Sequence, residues 1–282
     1  MDAPRYCYRH PDRETGLSCS ECDRPICYEC MTPAPVGIRC PEHSGKAQGI
    51  QKVTRAVTGV GSSRINAVTL ALIGANVAVA LVELATGSSA SFLNNSIFEK
   101  GSLFAAGWFT PTSGVAHGEW WRLFTSMFLH ASFFHLAINM YSLYFVGSIM
   151  EQVIGRWRFL LLYLASGLAG SAGALVLSPL TPTVGASGAI FGVLGGLFVL
   201  ERKRHIATGG QVAGLIVLNL VITIAFSSSI SVGGHVGGLI GGMILMVALL
   251  QFRRSALYSV ASVAAITVAA VVVAYAKVRN YQ

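Results

Sequence analysis

The stretch VGASGAIFGVLGGLFVL, Val184–Leu200, decides how the chain is read. It is apolar apart from one hydroxyl, Ser187, and its glycines at 188, 192 and 196 recur at every fourth position. Burying apolar side chains drives nothing when the solvent is lipid. Helices associate there through close packing, and small residues four apart let two backbones touch. A second stretch, SVGGHVGGLIGGMILMVALLQ (Ser231–Gln251), repeats the spacing with Gly234, Gly238 and Gly242 and carries one imidazole, His235. The two glycine faces predict two helices in direct contact, with Ser187 and His235 brought together where they meet.

The rest of the chain fits a membrane setting. Of 282 residues 53% are apolar and 11% charged, against about a quarter charged in an ordinary soluble domain. The first sixty residues hold all six cysteines and seven of the twelve acids, and no aspartate follows Asp23. A spanning helix needs about 20 apolar residues. Seven candidates run over 65–86, 129–150, 159–177, 185–200, 211–226, 231–251 and 256–276. The expected fold class is all-α, a polytopic transmembrane bundle of six spans plus one behind a small N-terminal zinc-binding domain. Its divisions are a zinc-binding head at 1–45, a basic flexible linker at 46–64, a six-span core at 65–252 and an additional C-terminal span at 253–282.

The start, MDAPRYCYRHPDRE, has no apolar signal segment, so the head is expected to stay in the cytoplasm. Arg156 and Arg158, then Arg202, Lys203 and Arg204, then Arg253 and Arg254 lie in loops on that same side, while the loops near 178–184 and 227–230 carry no charge. This asymmetry follows the positive-inside rule, explains the net charge of +8 without nucleic acid, and predicts a multi-pass protein of a bacterial-type plasma membrane. One outer loop, 87–128, is rich in Phe, Trp, Gly and Ser and reads as a folded segment lying partly in the outer leaflet.

Polar groups inside a bilayer are costly and mark function. The second span opens with His130, His135 and Asn139, and the spacing puts the last two on one helical face. By the topology above, these three, Ser187 and His235 sit at one level below the outer surface. A serine hydroxyl becomes a nucleophile when a neighbouring base takes its proton. His235 is the candidate base, with no aspartate to orient it. The backbone N–H of Ser187 at a helix start, with His135 and Asn139, would supply donors for an oxyanion.

GASG followed by Gly192, the His-x4-His-x3-Asn array, His-x-Gly-Gly and the pair Trp121–Arg122 together resemble the rhomboid family of intramembrane serine proteases, over roughly 66–251. The resemblance implies Ser187 as nucleophile and His235 as general base. His135 and Asn139, supported by Gly185, would form the oxyanion site, with His130 a structural or water-retaining neighbour and Glu151 a structural glutamate. It also implies substrates that are single-span membrane proteins, cut near the outer surface where the helix unwinds. Two other classes compete: a catalytically silent relative that binds membrane clients, and a transporter with a polar path.

The head reads C-x2-H-x8-C-x2-C-x4-C-x2-C-x9-C-x2-H, which is Cys7, His10, Cys19, Cys22, Cys27, Cys30, Cys40 and His43, with no cysteine left over. Four knuckles make two closed tetrahedral sites for structural zinc, and about forty residues need that metal to fold. The spacing is similar to a B-box-type zinc finger. That likeness implies Cys7, His10, Cys27 and Cys30 around one ion and Cys19, Cys22, Cys40 and His43 around the other, with a cytoplasmic protein as the head's partner. Elsewhere His117 and His205 are expected to be solvated, Asn76 and Asn219 to bond between helices, and Glu83 to snorkel or pair.

Overall fold

The structure is a computed structural model that describes residues 4–34, 37–44, 66–87, 92–206, 209–252 and 255–282. The linker expected at 46–64 lies outside these, as do Arg253 and Arg254 of the charge argument. The chain divides into two compact units, Met1–Val60 and Gly61–Gln282.

In the first unit a short antiparallel ribbon pairs β1 (Thr32–Pro33) with β2 (Ile38–Arg39). Its interior is Ile26, fully buried, together with the cysteines. Such a core is too small to hold forty residues without further ties.

The second unit is helical: α1 (Ala67–Thr86), α2 (Ser96–Gly101), α3 (Arg122–Thr125), α4 (Phe133–Ile154), α5 (Arg156–Leu177), α6 (Ser187–Arg202), α7 (Gln211–Ala225), α8 (Val232–Gln251) and α9 (Ala256–Val278). Among the described residues five helices are long and apolar enough to cross a membrane. The two other expected spans are shorter, α6 with 16 residues and α7 with 15. The helix α6 is buried on nearly every side, so it has no lipid thickness to match.

Three helices meet on glycine. A Cβ placed on Gly170 of α5 would lie 2.9 Å from the carbonyl oxygen of Gly234 in α8 and 3.2 Å from Cα of Gly188 in α6. One on Gly238 would strike the Gly188 carbonyl, and one on Gly242 the Gly192 carbonyl. The second glycine row of α8, Gly233 and Gly237, faces α5 instead, where a Cβ on Gly237 would come within 2.6 Å of Ala169 O. The second row of α8 therefore packs on α5, Gly234 of the first row meets both α5 and α6, and the sequence pattern assigns only the contact with α6.

Two buried charges tie the ends. Glu151, near the end of α4, accepts from the backbone N–H of Val68 (3.1 Å) and Thr69 (2.8 Å) and from Thr69 Oγ1 (2.8 Å), satisfying the open donors at the start of α1. Arg122, 2% exposed, bonds to Glu119 (2.8 Å) and to the carbonyls of Glu99 and Ser102 (2.7 Å each), and its guanidinium lies over the Phe104 ring. Burial opposes ionisation of Glu119, but Arg122 and the Gly114 N–H hold its carboxyl below the usual range. The described part of the outer loop, 92–128, is folded around this pair, with α2, α3 and a 3-10 turn at Val115–His117. The C-terminal helix α9 closes over it, packing Ala270, Ala274 and Val278 with Leu123 and Ala172 and stacking Tyr275 on Trp120 at 6.4 Å.

Several expectations change. The second span begins at Phe133 rather than 129, because the Ser132 hydroxyl caps it by accepting from the His135 N–H at 3.1 Å. His130 therefore lies in the loop before the helix. Asn76 and Asn219 each donate to a carbonyl of their own helix, Leu72 O and Leu215 O, and the Asn76 side chain also faces Tyr163 of α5. Glu83 does not snorkel; it is fully buried and accepts from the His130 N–H at 3.4 Å. His117 and His205 are exposed.

Gly238→Ala drives a methyl into the Gly188 backbone and is expected to lower stability by about 1–3 kcal/mol. Gly214→Ala, with nothing within 4 Å of the new methyl, should leave stability unchanged or raise it by up to about 1 kcal/mol. Thermal denaturation of both variants in detergent checks the contrast.

Candidate active site

Ser187 is the first residue of α6, which follows an extended approach. That approach is pinned on both sides: Thr183 pairs with Leu103 (N–H to O, 2.8 and 3.0 Å), and the Gly185 N–H bonds to Ser126 O at 2.9 Å. Gly185 has φ +125°, which a side chain would strain. A Cβ there would also come within 2.7 Å of the His135 ring and 3.7 Å of Asn139 Nδ2. Both polar side chains of α4 thus face the backbone just ahead of Ser187.

Both are placed to donate. His135 Nδ1 accepts from the Ala131 N–H at 3.4 Å, which leaves the proton on Nε2, one of the ring atoms nearest Gly185. Asn139 is buried, and its Nδ2 has no partner among the described residues. The first N–H groups of α6 are free of intrahelical bonds by position and carry the positive end of the helix dipole.

His235 sits one turn into α8 and is 7% exposed. Its ring stacks on Phe191, one turn after Ser187 in α6, with centroids 4.0 Å apart and planes 17° from parallel. Its Nδ1 lies 2.7 Å from the Thr223 hydroxyl of α7. No hydrogen bond joins Ser187 to His235 in this structure; such contacts commonly tighten only around substrate. Ser187, His235, His135, Asn139 and Gly185 all line one cavity of about 660 Å³. His130 does not line it. Fully buried, it stacks edge-on against His135 at 5.1 Å. Thr223 is the residue that sequence reading missed, since a threonine in an apolar helix carries no signal of its own.

The head holds a separate centre. Cys7, His10, Cys27 and Cys30 form one cluster and Cys19, Cys22, Cys40 and His43 the other, with the ligand atoms of each within 4.8 Å of one another. Cys27 Sγ and Cys30 Sγ are each 3.4 Å from His10 Nδ1, and Cys22 Sγ is 3.8 Å from Cys40 Sγ. Bonds of about 2.0–2.3 Å to one central ion give tetrahedral edges of about this length. Burial opposes ionisation of Cys7 and Cys19, yet backbone N–H groups converging on each, from Cys27 at the first and Cys40 at the second, bring both thiols down to about 6. Two Cys3His clusters that could hold metal ions are therefore present.

The family model for the Rhomboid domain matches residues 117–252. Rhomboid protease GluP of Bacillus subtilis is 45% identical over 118 residues, 40% of this chain and 23% of that protein. RHOMBOID-like protein 1 of Arabidopsis thaliana is 41% identical over 106 residues, 38% and 27% of the two chains. Inactive RHOMBOID-like protein 8 of the same plant is 34% identical over 108 residues, 38% and 31%. The matched region is thus less than a third of each of these proteins. The domain match, these relatives and the apolar helices agree: the chain is a multi-pass membrane protein that is similar, over residues 117–252, to the rhomboid family.

Proposed function

We propose that this chain is an intramembrane serine protease that cleaves membrane-protein substrates. The observation that carries the reading is the convergence of Ser187, His235, His135 and Asn139 on one cavity, with the Asn139 amide unpartnered. Ser187 Oγ attacks the scissile carbonyl while His235 takes its proton and returns it to the leaving amine. The oxyanion is met by the Ser187 N–H, His135 Nε2–H and Asn139 Nδ2–H. A peptide carbonyl inside a helix is already hydrogen-bonded, so the substrate helix must unwind before it can react. Single-span proteins with small residues and weak helices near the outer surface suit that demand. The charge asymmetry of the loops supports a cytoplasmic head in the plasma membrane.

In the head, two zinc ions fit the two Cys3His sets. Closed four-ligand shells leave no position for substrate, so the metal is structural and the head serves a cytoplasmic protein partner.

A second reading is a silent relative that binds membrane clients without cutting them. The similarity to Inactive RHOMBOID-like protein 8, 34% identical over 108 residues, favours it. A fluorophosphonate probe separates the two: an activated Ser187 takes the label and a silent one does not. A transport role would instead show as flux across liposomes.

Co-expression with a panel of single-span reporters should yield a fragment that depends on Ser187. Ser187→Ala should abolish it, and His235→Ala should lower the rate by about 10²–10⁴, both proteins staying folded in detergent. A fragment that persists in Ser187→Ala overturns the reading. Chelating the metal of the full chain should unfold the head, seen by loss of its protease resistance, while most of the cleavage activity remains.

A further inference from the structure

Thr223 lies in α7, twelve residues before His235, and is 1% exposed. Its hydroxyl has two partners. It lies 2.7 Å from the carbonyl oxygen of Asn219, one turn back in its own helix, and 2.7 Å from His235 Nδ1 in α8. The first contact is ordinary, because threonines in membrane helices often donate to the carbonyl four residues earlier. The second is not, and together they fix a proton.

A hydroxyl has one hydrogen to give and two lone pairs to receive. The Asn219 carbonyl can only accept, so the Thr223 proton goes there. Towards His235 the oxygen must then accept, and the proton between them belongs to Nδ1. A neutral imidazole has one N–H. With it on Nδ1, Nε2 carries a free lone pair, the state a general base needs. Phe191 meanwhile holds the face of the ring at 4.0 Å, which limits tilt. Thr223 limits rotation.

We propose that Thr223 is the positioning residue of the Ser187–His235 pair, holding His235 in the Nδ1–H tautomer so that Nε2 faces the reaction as a base. The proposal rests on the serine-protease reading for its kinetic consequence, but the tautomer itself does not. Thr223 performs the orienting part of an aspartate's task without a charge. It differs from an aspartate in leaving the imidazolium less stabilised, so His235 must work as a weaker partner than in a charged triad.

The test uses the full chain in detergent with a single-span reporter. Thr223→Val keeps the shape and deletes the hydroxyl; Thr223→Ser keeps the hydroxyl and deletes a methyl. The expected result is a fall in kcat of about 10- to 100-fold for Thr223→Val, a part of the about 10²–10⁴-fold that general-base catalysis supplies, with KM within about twofold. Thr223→Ser should rescue kcat to within about threefold of wild type. Nitrogen-15 imidazole spectra, with His235 identified by loss of its signals in His235→Ala, should show the proton on Nδ1 in wild type and its transfer towards Nε2 in Thr223→Val. A wild-type proton on Nε2, a Thr223→Val variant with full kcat, or a folded Thr223→Ser variant as slow as Thr223→Val would each overturn the proposal. Should Thr223→Val fail to fold, the wild-type spectrum and Thr223→Ser still decide. A wild-type chain that cuts no reporter through Ser187 sinks the protease reading, while the spectrum decides Thr223 independently.

Discussion

Everything in the helical unit depends on backbone touching backbone at Gly170, Gly188 and Gly234, one from each of three helices. Lipid offers no hydrophobic reward for bringing helices together, so association rests on contact area and on the close approach that missing side chains permit. Gly188 directly follows Ser187, and Gly234 directly precedes His235. The positions that bring the helices closest are therefore the neighbours of the two side chains proposed as nucleophile and base. A methyl at this junction would alter packing and the placement of both groups at once. Stability and site geometry are set by the same atoms.

The span pattern was legible because hydropathy and glycine spacing act locally and repeat. The contact of α6 with α8 could be read from two rows of glycine at matched spacing, whereas α5 has Gly167, Gly170 and Gly173 at spacing three within a mixed apolar run, and its share in the junction was not anticipated. The start of α4 was misread because apolar residues continue upstream through Met127, Phe128 and Leu129. What ends the helix there is a cap: Ser132 sits three residues before His135 and claims its N–H. Hydropathy cannot register a cap. The consequence for His130 is large, since it becomes a loop residue held by Glu83 rather than a residue at the outer end of the second span.

The head was legible for a different reason. Paired ligands two residues apart are a chemical signature that does not depend on packing. The crossed grouping, first pair with third and second with fourth, came from a likeness to a known finger, and the geometry has the same grouping. In this arrangement neither cluster forms from one contiguous segment. Each closes only when the chain has crossed itself, so the two sites and the ribbon of β1 and β2 must form together. Backbone N–H groups that lower the Cys7 and Cys19 thiols work in the same direction, because a thiolate already favoured by its surroundings costs less to present to a metal.

The absence of any aspartate beyond Asp23 left the orientation of His235 unexplained by sequence. Physical cost suggests why a hydroxyl stands there. A carboxylate beside an imidazole in a buried, lipid-flanked site carries a desolvation penalty of several kcal/mol unless further donors surround it. Glu151 meets that requirement with three donors from α1. The site around His235 offers few: Phe191 covers one face of the ring, and the glycine rows bring backbone but no donor side chains. A threonine that bonds back to its own helix is already satisfied before it meets the imidazole, so it orients the ring at little cost. The same reasoning limits what it can do. A neutral hydroxyl sets direction without adding charge, and in the proposed mechanism the oxyanion donors would then carry a larger part of the transition-state stabilisation than they would beside a charged triad.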